Sequence, residues 1–253
     1  MDKATIAILY DFDKTLCTKD MQEYTFIPSI NLKPAEFWNM SNDLAREQGM
    51  DPILAYMWLM LDRANAVRKP IKRQSFVNLG NDLEFYPGVD TWFDSINSVG
   101  KAHNVIIEHY IISSGLKEII EGSSIYHNFR AVFACEYFYD VNSVAIWPKN
   151  VINYTTKTQF LFRINKGVLD LSDDKSLNRY PPEENRPIPF KNMIYIGDGL
   201  TDVPCMKLVK VNGGCSIAVY PGRKKKNVTD LLIEGRVNYI ELADYSEHKK
   251  LFR

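Results

Sequence analysis

The sequence predicts an α/β protein: a parallel sheet with helices on both faces, interrupted by an inserted helical cap. Three observations predict it. Near-continuous apolar runs occur at Thr5-Ile6-Ala7-Ile8-Leu9-Tyr10, at Tyr110-Ile111-Ile112 and at Met193-Ile194-Tyr195-Ile196. Such runs mark strands buried on both faces, as a parallel sheet requires. Each stops at small or acidic residues, namely Asp11, Ser113-Ser114-Gly115 and Gly197-Asp198-Gly199, and a helical pattern follows. Between the first two runs lies a long helical stretch, residues 17–85. In open α/β sheets ligands bind beyond the carboxyl ends of the strands. Three polar tips far apart in sequence should therefore converge on one cleft.

After the first strand, Pro34 and Pro52 suit the first turns of two helices, with Asp51 as an N-cap. Met50, Tyr56, Met57, Trp58, Met60 and Leu61 give the second of these a large apolar surface, read as the cap's own core with a few residues facing substrate. Ser75 is expected to cap a short third helix before Tyr86-Pro87-Gly88. A helix with Trp92, Phe93 and Ile96 then ends near Gly100 and feeds the second strand. Residues 131–154, rich in Val, Phe, Tyr and Ile around the turn Asp140-Val141-Asn142-Ser143, predict a strand pair. A helix is expected from about Thr156 to Asn165, then a polar excursion over 170–189 carrying four prolines. Val211 to Tyr220 is a further candidate strand. The division predicted is 1–16 plus 86–253 for the α/β core and 17–85 for the cap.

Composition narrows the function classes. The chain has 253 residues, 45% hydrophobic and 25% charged, enough apolar material for a full core. Its 31 basic and 31 acidic residues cancel, so no broad field draws in nucleic acid or an anionic membrane. The run Arg223-Lys224-Lys225-Lys226 reads as a solvated loop. No stretch approaches the roughly 18 apolar residues of a membrane span, and no export signal is visible. Cys17, Cys135, Cys205 and Cys215 show no CxxC pairing and read as reduced thiols of a cytoplasmic protein, Cys17 as a small buried filler.

Chemistry concentrates in two motifs. Asp11-Phe12-Asp13-Lys14-Thr15 directly follows a buried strand. Two carboxylates at such a place are costly unless a cation occupies them. Gly197-Asp198-Gly199-Leu200-Thr201-Asp202 also follows an apolar strand, with glycines that allow a tight turn and acids able to hold a hard metal ion.

Together these residues resemble the haloacid dehalogenase superfamily of aspartyl-phosphate hydrolases. Its four motifs occur in order: Asp11 through Thr15, then Ser113, then Lys157, then Gly197-Asp198 through Asp202. The resemblance implies a Rossmann-like core and a phosphomonoesterase acting on a small-molecule phosphate. It implies Asp11 as nucleophile, forming an aspartyl-phosphate, and Asp13 as general acid and then base. It implies Mg²⁺ held by Asp11, the Asp13 carbonyl and Asp198. Ser113 would hold a phosphoryl oxygen, Lys157 would neutralise charge, and Asp202 would position Lys157 or a metal-bound water. It implies Thr15, Ser114 and Gly115 as further substrate-binding residues. Lys166 competes with Lys157, but Thr155-Thr156 looks like a helix start, and a lysine in that first turn reaches the cleft. Lys166 sits at the helix end, where a basic residue is favoured anyway.

The position of the cap and the string Ile112-Ser113-Ser114-Gly115 resemble the phosphoserine phosphatase-like branch. Asp20, nine positions beyond Asp11, matches the branch's amine-binding acid, and a helix N-cap is an equal reading. Two departures point away from phosphoserine itself: Ser-Ser-Gly replaces Ser-Gly-Gly, and none of Arg46, Arg63 and Arg68 stands in the context of the branch's carboxylate-binding arginine. A phosphotransferase with a non-water acceptor and a non-catalytic phosphate-binding module are the alternatives. The expected assembly is a monomer or homodimer, without nucleic-acid or membrane partners.

Overall fold

The computed structural model describes residues 3–222 and 225–253; Arg223 and Lys224 of the basic run lie outside them. Among the described residues, seven strands form one sheet: β1 Thr5–Tyr10, β2 Ile106–Leu116, β3 Phe129–Tyr139, β4 Ala145–Asn150, β5 Met193–Gly197, β6 Cys215–Tyr220 and β7 Tyr239–Leu242. Their order is β4-β3-β2-β1-β5-β6-β7. Every pairing is parallel except β3 with β4. The apolar run of β1 is explained by its central place, where Ala7, Leu9 and Tyr10 are fully buried.

Among the described residues, ten α-helices accompany the sheet. Between β1 and β2 come α1 Phe26–Ser29, α2 Pro34–Gln48, α3 Pro52–Ala66, α4 Arg73–Leu79 and α5 Val89–Ala102. After β2 come α6 Lys117–Glu121, α7 Lys157–Lys166 and α8 Asp174–Asn178, and after β5 come α9 Val203–Val211 and α10 Lys226–Ile233. Both α2 and α3 start with proline, and Asp51 caps α3 by accepting from the N–H groups of Ile53 and Leu54. Ser75 is not a cap. It lies inside α4, whose first N–H, on Arg73, donates to the Ser143 carbonyl at 3.1 Å. A tertiary acceptor fills the role expected of a side chain.

The segment from α1 to α4 leaves and rejoins the sheet through one short ribbon. Thr18 N–H donates to Glu84 O and Tyr86 N–H to Leu16 O, each at 2.9 Å. Its apolar residues do more than form a separate small core. Phe76 packs edge-on against Tyr137 of β3 at 6.1 Å, and the Tyr137 hydroxyl donates to the Met57 carbonyl at 2.7 Å. The seam with α6 is close enough to demand glycine. A Cβ on Gly122 would stand 1.7 Å from Val77 O, and one on Gly80 2.3 Å from Ile119 O.

Three other expectations shift in detail. β2 does not stop at Ile112: it pairs with β3 again at Leu116, and the register slips between the two. Ser113-Ser114-Gly115 therefore forms an irregular strand end, which bends the backbone toward the cleft. The run from Val211 divides, because α9 extends to Val211 and a turn with Gly213 at φ +84° precedes β6. The 170–189 excursion contains α8. Buried Arg163 holds it through the carbonyls of Asp170 and Leu171, and Lys166 Nζ through those of Leu177 and Arg179.

Candidate active site

The strand order explains why distant residues meet. From β1 the chain builds outward through β2, β3 and β4 on one side, and through β5, β6 and β7 on the other. That reversal opens a crevice at the carboxyl ends of β1 and β5. Asp11 leaves β1 there, its N–H donating to Ile196 O of β5 at 2.9 Å, and Asp198 follows β5 directly.

The loop after Asp11 is tightly wound. The Phe12 carbonyl accepts from the N–H groups of Thr15, Leu16 and Cys17, and Lys14 takes a left-handed φ of +57°. This turn leaves Asp13 facing the cleft, where Oδ1 accepts from Met21 N–H at 2.8 Å. Gly115 makes room for it, since a Cβ there would lie 2.7 Å from Asp13 Oδ2 and 2.2 Å from Met21 Cε.

Lys157 is the first residue of α7 and is 1% exposed. Its ammonium donates to Asp11 Oδ1 at 2.8 Å and Asp202 Oδ1 at 2.7 Å. Asn153 builds the preceding turn by accepting from the N–H groups of Thr155 and Thr156 and from Lys157 N–H through its carbonyl. Burial alone lowers the lysine pKa, but Asp11 and Asp202 outweigh it and the net shift is upward, so the ammonium stays charged. Lys166, held on the excursion, does not line the cleft. Asp202 stands at the N-cap of α9 yet makes no capping bond. Its Oδ1 also accepts from the Tyr195 hydroxyl at 2.8 Å, while Oδ2 is buried without a partner and lies 2.5 Å from where a Cβ on Gly197 would sit.

Carboxylate oxygens of Asp11, Asp198 and Asp202 lie within 4.8 Å of one another. Burial, then the Asp202 charge, raises Asp11 to about 6 in spite of Lys157. Burial, then Asp11 and Asp202, raises Asp198 to about 8. Burial, then Asp20 and Asp11, holds Asp13 well above the usual carboxylate range. The cluster is short of positive charge, and its donors are all oxygen with one orphaned buried oxygen among them. Such a set fits a hard divalent cation.

A cleft of about 260 Å³ opens over these groups, lined by Asp11, Asp13, Asp20, Ser113, Ser114, Lys157 and Asp198 of the predicted set. Ser113 Oγ accepts from Gly115 N–H at 3.0 Å. Thr15 and Gly115 are fully buried and do not line the cleft. Thr15 sits beneath the loop, its carbonyl accepting from the Tyr245 hydroxyl at 2.8 Å. Asp20 precedes a single turn of 3₁₀ helix but makes no capping bond; its carboxylate pairs with Lys14 at 2.5 Å. Tyr56, one of the cap residues of which a few were expected to face substrate, does line the cleft, while sequence reasoning missed Lys14, Gln22, Trp38, Ile53 and Tyr154, which complete much of the wall. Lys14 lay inside a quoted motif. The others carry no local signal, because tertiary packing alone turns them inward.

Comparison with known proteins agrees with this geometry. The chain is 30% identical to an uncharacterized protein of Borreliella burgdorferi, covering 98% of this chain and 94% of that one. A substrate-bound phosphoserine phosphatase complex superposes with a TM-score of 0.58 at 12% identity, over 94% of this chain and 93% of the other. A HAD family hydrolase of Salmonella enterica serovar Typhi gives 0.58 at 16% identity, over 94% and 67%. Among the described residues no helix is long and apolar enough to cross a membrane. Residues 8–207, spanning every motif from Asp11 to Asp202, match the family of haloacid dehalogenase-like hydrolases, and the chain belongs to that family.

Proposed function

We propose that the protein is a Mg²⁺-dependent phosphomonoesterase working through an aspartyl-phosphate on Asp11. The observation that carries this reading is the Asp11 carboxylate held at 2.8 Å by buried Lys157, inside a carboxylate cluster that fits a divalent cation. A structure described as a phospho-aspartyl intermediate analogue of phosphoserine phosphatase, with a TM-score of 0.55 at 12% identity, supports it further.

Physics sets the problem. An anionic carboxylate must approach an anionic phosphate, and two such charges ~4 Å apart repel by ~1 kcal/mol in water and more in a drier site. Lys157 offsets part of that repulsion and is fixed before reaction, so no reorganisation is needed as charge shifts. Asp11 and Asp198, with the Asp13 carbonyl, would hold Mg²⁺, which supplies further neutralisation of the phosphate when bound. Asp202 keeps Lys157 in place.

The chain's own groups then divide the reaction. Asp11 attacks phosphorus as the bond to the alcohol oxygen breaks, and Asp13 gives that oxygen its proton. The upward shift of Asp13 suits it to carry the proton beforehand. Water next attacks phosphorus and yields its proton to Asp13, which frees Asp11 and inorganic phosphate. Ser113 and Ser114 would meet phosphoryl oxygens, a role supported by their place in the lining of the same cleft. Residues 17–85 act as the cap over this chamber, a reading supported by Trp38, Ile53 and Tyr56 in its wall.

The purified protein should release phosphate from an aryl phosphate with Mg²⁺ and stop on chelation. Undiminished turnover by Asp11→Asn would remove the proposed nucleophile.

A further inference from the structure

Part of the cleft wall differs in character from the carboxylate cluster. Trp38 of α2, Ile53 and Tyr56 of α3, and Tyr154 in the loop before α7 line it. Trp38 Nε1 donates to Glu23 Oε1 at 2.7 Å, and its ring meets Phe37 at 5.1 Å and Tyr56 at 5.9 Å, each edge to face. The Tyr56 hydroxyl donates to the Ser114 carbonyl at 2.6 Å, which seats this ring beside the strand end expected to meet phosphate. With both polar tips committed to protein acceptors, these two side chains offer the cleft fixed ring surface rather than hydrogen bonds.

The charged groups beside this wall cancel within the protein. Lys14 and Asp20 both line the cleft and pair with each other at 2.5 Å, and Lys157 is held between Asp11 and Asp202. An alcohol carrying a carboxylate reaches Lys14 only by opening the first pair, and an alcohol carrying an ammonium reaches Asp20 only in the same way. Either leaves the other member unmatched, which counts against both kinds of substrate. Among the described residues no arginine lines the cleft.

Hydroxyl groups fare little better. A polyhydroxy alcohol gives up several bonds to water on entering and needs partners to replace them, whereas Trp38, Ile53 and Tyr56 present ring faces and hydrocarbon. An apolar alcohol has no such bonds to lose, and whatever it covers of this wall is removed from water at a gain. Trp38 and Ile53 are only half-buried, so they have surface left to cover. The cleft's volume of about 260 Å³ falls below the ~300–1,000 Å³ typical of drug-sized ligands, which suits a phosphate bearing one ring and not a nucleotide.

We propose that the substrate is the phosphate ester of an uncharged alcohol bearing one planar apolar ring, packed against Trp38, Ile53, Tyr56 and Tyr154. The assignment rests on the phosphatase reading above and narrows it. A flat ring stacks on indole and phenol faces or meets their edges, and it buries a large apolar area while few rotatable bonds are frozen. Tyr154, 46% exposed, completes the wall from the α/β core.

The test is a steady-state comparison of the full-length protein, loaded with Mg²⁺, on benzyl phosphate, ethyl phosphate, phosphoserine, phosphoethanolamine, glycerol 3-phosphate and glucose 6-phosphate. All six are alkyl esters with strongly basic leaving groups, and an aryl phosphate serves as the reference for hydrolysis itself. Benzyl phosphate should exceed each of the other five by about tenfold or more in kcat/KM, the scale of burying a ring's apolar surface. Trp38→Leu and Ile53→Thr should each narrow the ratio of benzyl to ethyl phosphate severalfold, chiefly through KM. A ratio taken on one preparation does not depend on the fraction folded, so instability of either variant does not mimic this result. If both variants keep the wild-type ratio, the ring does not pack on this wall and the assignment falls. If the aryl phosphate is turned over but benzyl phosphate does not lead the alkyl esters, the assignment falls and the phosphatase reading stands. If no ester, the aryl phosphate included, yields phosphate, both fall.

Discussion

The two ends of the cleft are built by opposite means. At the floor, three strand tips and the first turn of α7 supply clustered charges: buried Asp11 and Asp202 bonded to Lys157, with half-buried Asp198 beside them. At the roof, helices and loops supply aromatic rings and a lone unsatisfied amide: Trp38, Tyr56, Tyr154 and Gln22. The floor groups are fixed by ion pairs and by the geometry of the sheet. At the roof, the Trp38 and Tyr56 rings meet edge to face and are anchored by hydrogen bonds to Glu23 and the Ser114 carbonyl. On the reading proposed above, one end serves the reaction and the other the choice among substrates. Damage to the floor should thus lower turnover of every ester, and damage to the roof should change which ester is favoured.

The largest expected effect tests that contrast at its strongest point. Asp11→Asn should lower kcat by on the order of 10³-fold or more for all esters alike, because losing a nucleophile stops the pathway instead of weakening a contact. Circular dichroism should be unchanged, since the amide fits the same space. A loss confined to one ester would place Asp11 in recognition and break the division between floor and roof.

Lys157→Ala comes next and should harm stability as well as rate. It strips the partner from two buried carboxylates, and breaking a buried pair in this way costs roughly 3–5 kcal/mol. Thermal unfolding with and without Mg²⁺ reads this directly, and added cation should recover part of the loss. A wild-type melting temperature in the cation-free variant would contradict the ion-pair network as drawn.

Much of the floor was legible in the sequence, and the reasons are local. Asp11 and Asp13 stand in one short motif after an apolar run, and Asp198 and Asp202 repeat the arrangement. Lys157 could be preferred over Lys166 from its place at a helix start. The roof was illegible for the opposite reason. Nothing next to Gln22 or Trp38 in sequence says which way either points; that depends on how α2 and α3 pack over the sheet. Ser75 failed as a cap on the same ground, because a carbonyl from the β3–β4 turn fills the role. Asp20 held two readings in sequence, and its pairing with Lys14 leaves the cap reading without a bond. The strand order could not be read at all, though the convergence of the tips followed from the rule for parallel sheets.

The pH response offers a smaller effect with a definite sign. Without a cation, Asp11 and Asp198 are raised to about 6 and about 8, against an ordinary value near ~3.9 in the unfolded chain. Between those limits the folded state binds more protons than the unfolded one. Stability of the cation-free protein should therefore fall as pH rises from about 4 to about 8. A divalent cation binds the ionised carboxylates, so Mg²⁺ should raise the melting temperature more at pH 8 than at pH 6. Equal shifts at both values would show that these carboxylates do not titrate with the cation.

The smallest effect lies where floor and roof touch. Asp51 caps α3 with one oxygen, and with the other it accepts from the Asn153 side-chain amide at 2.9 Å. Asn153 in turn builds the turn that delivers Lys157. Asp51→Ala should cost about 1 kcal/mol, the usual loss for a helix cap, which is a fall of roughly 2–4 °C for a chain of this size. Turnover should change little, because Asn153 keeps its bonds to Thr155 and Thr156. Asn153→Ala removes those bonds as well and should lower kcat for every ester beyond what its stability loss explains. Were Asp51→Ala to depress kcat as much as Asn153→Ala, the lysine turn would depend on the helix above it, and the two ends of the cleft would have to be treated as one mechanical unit.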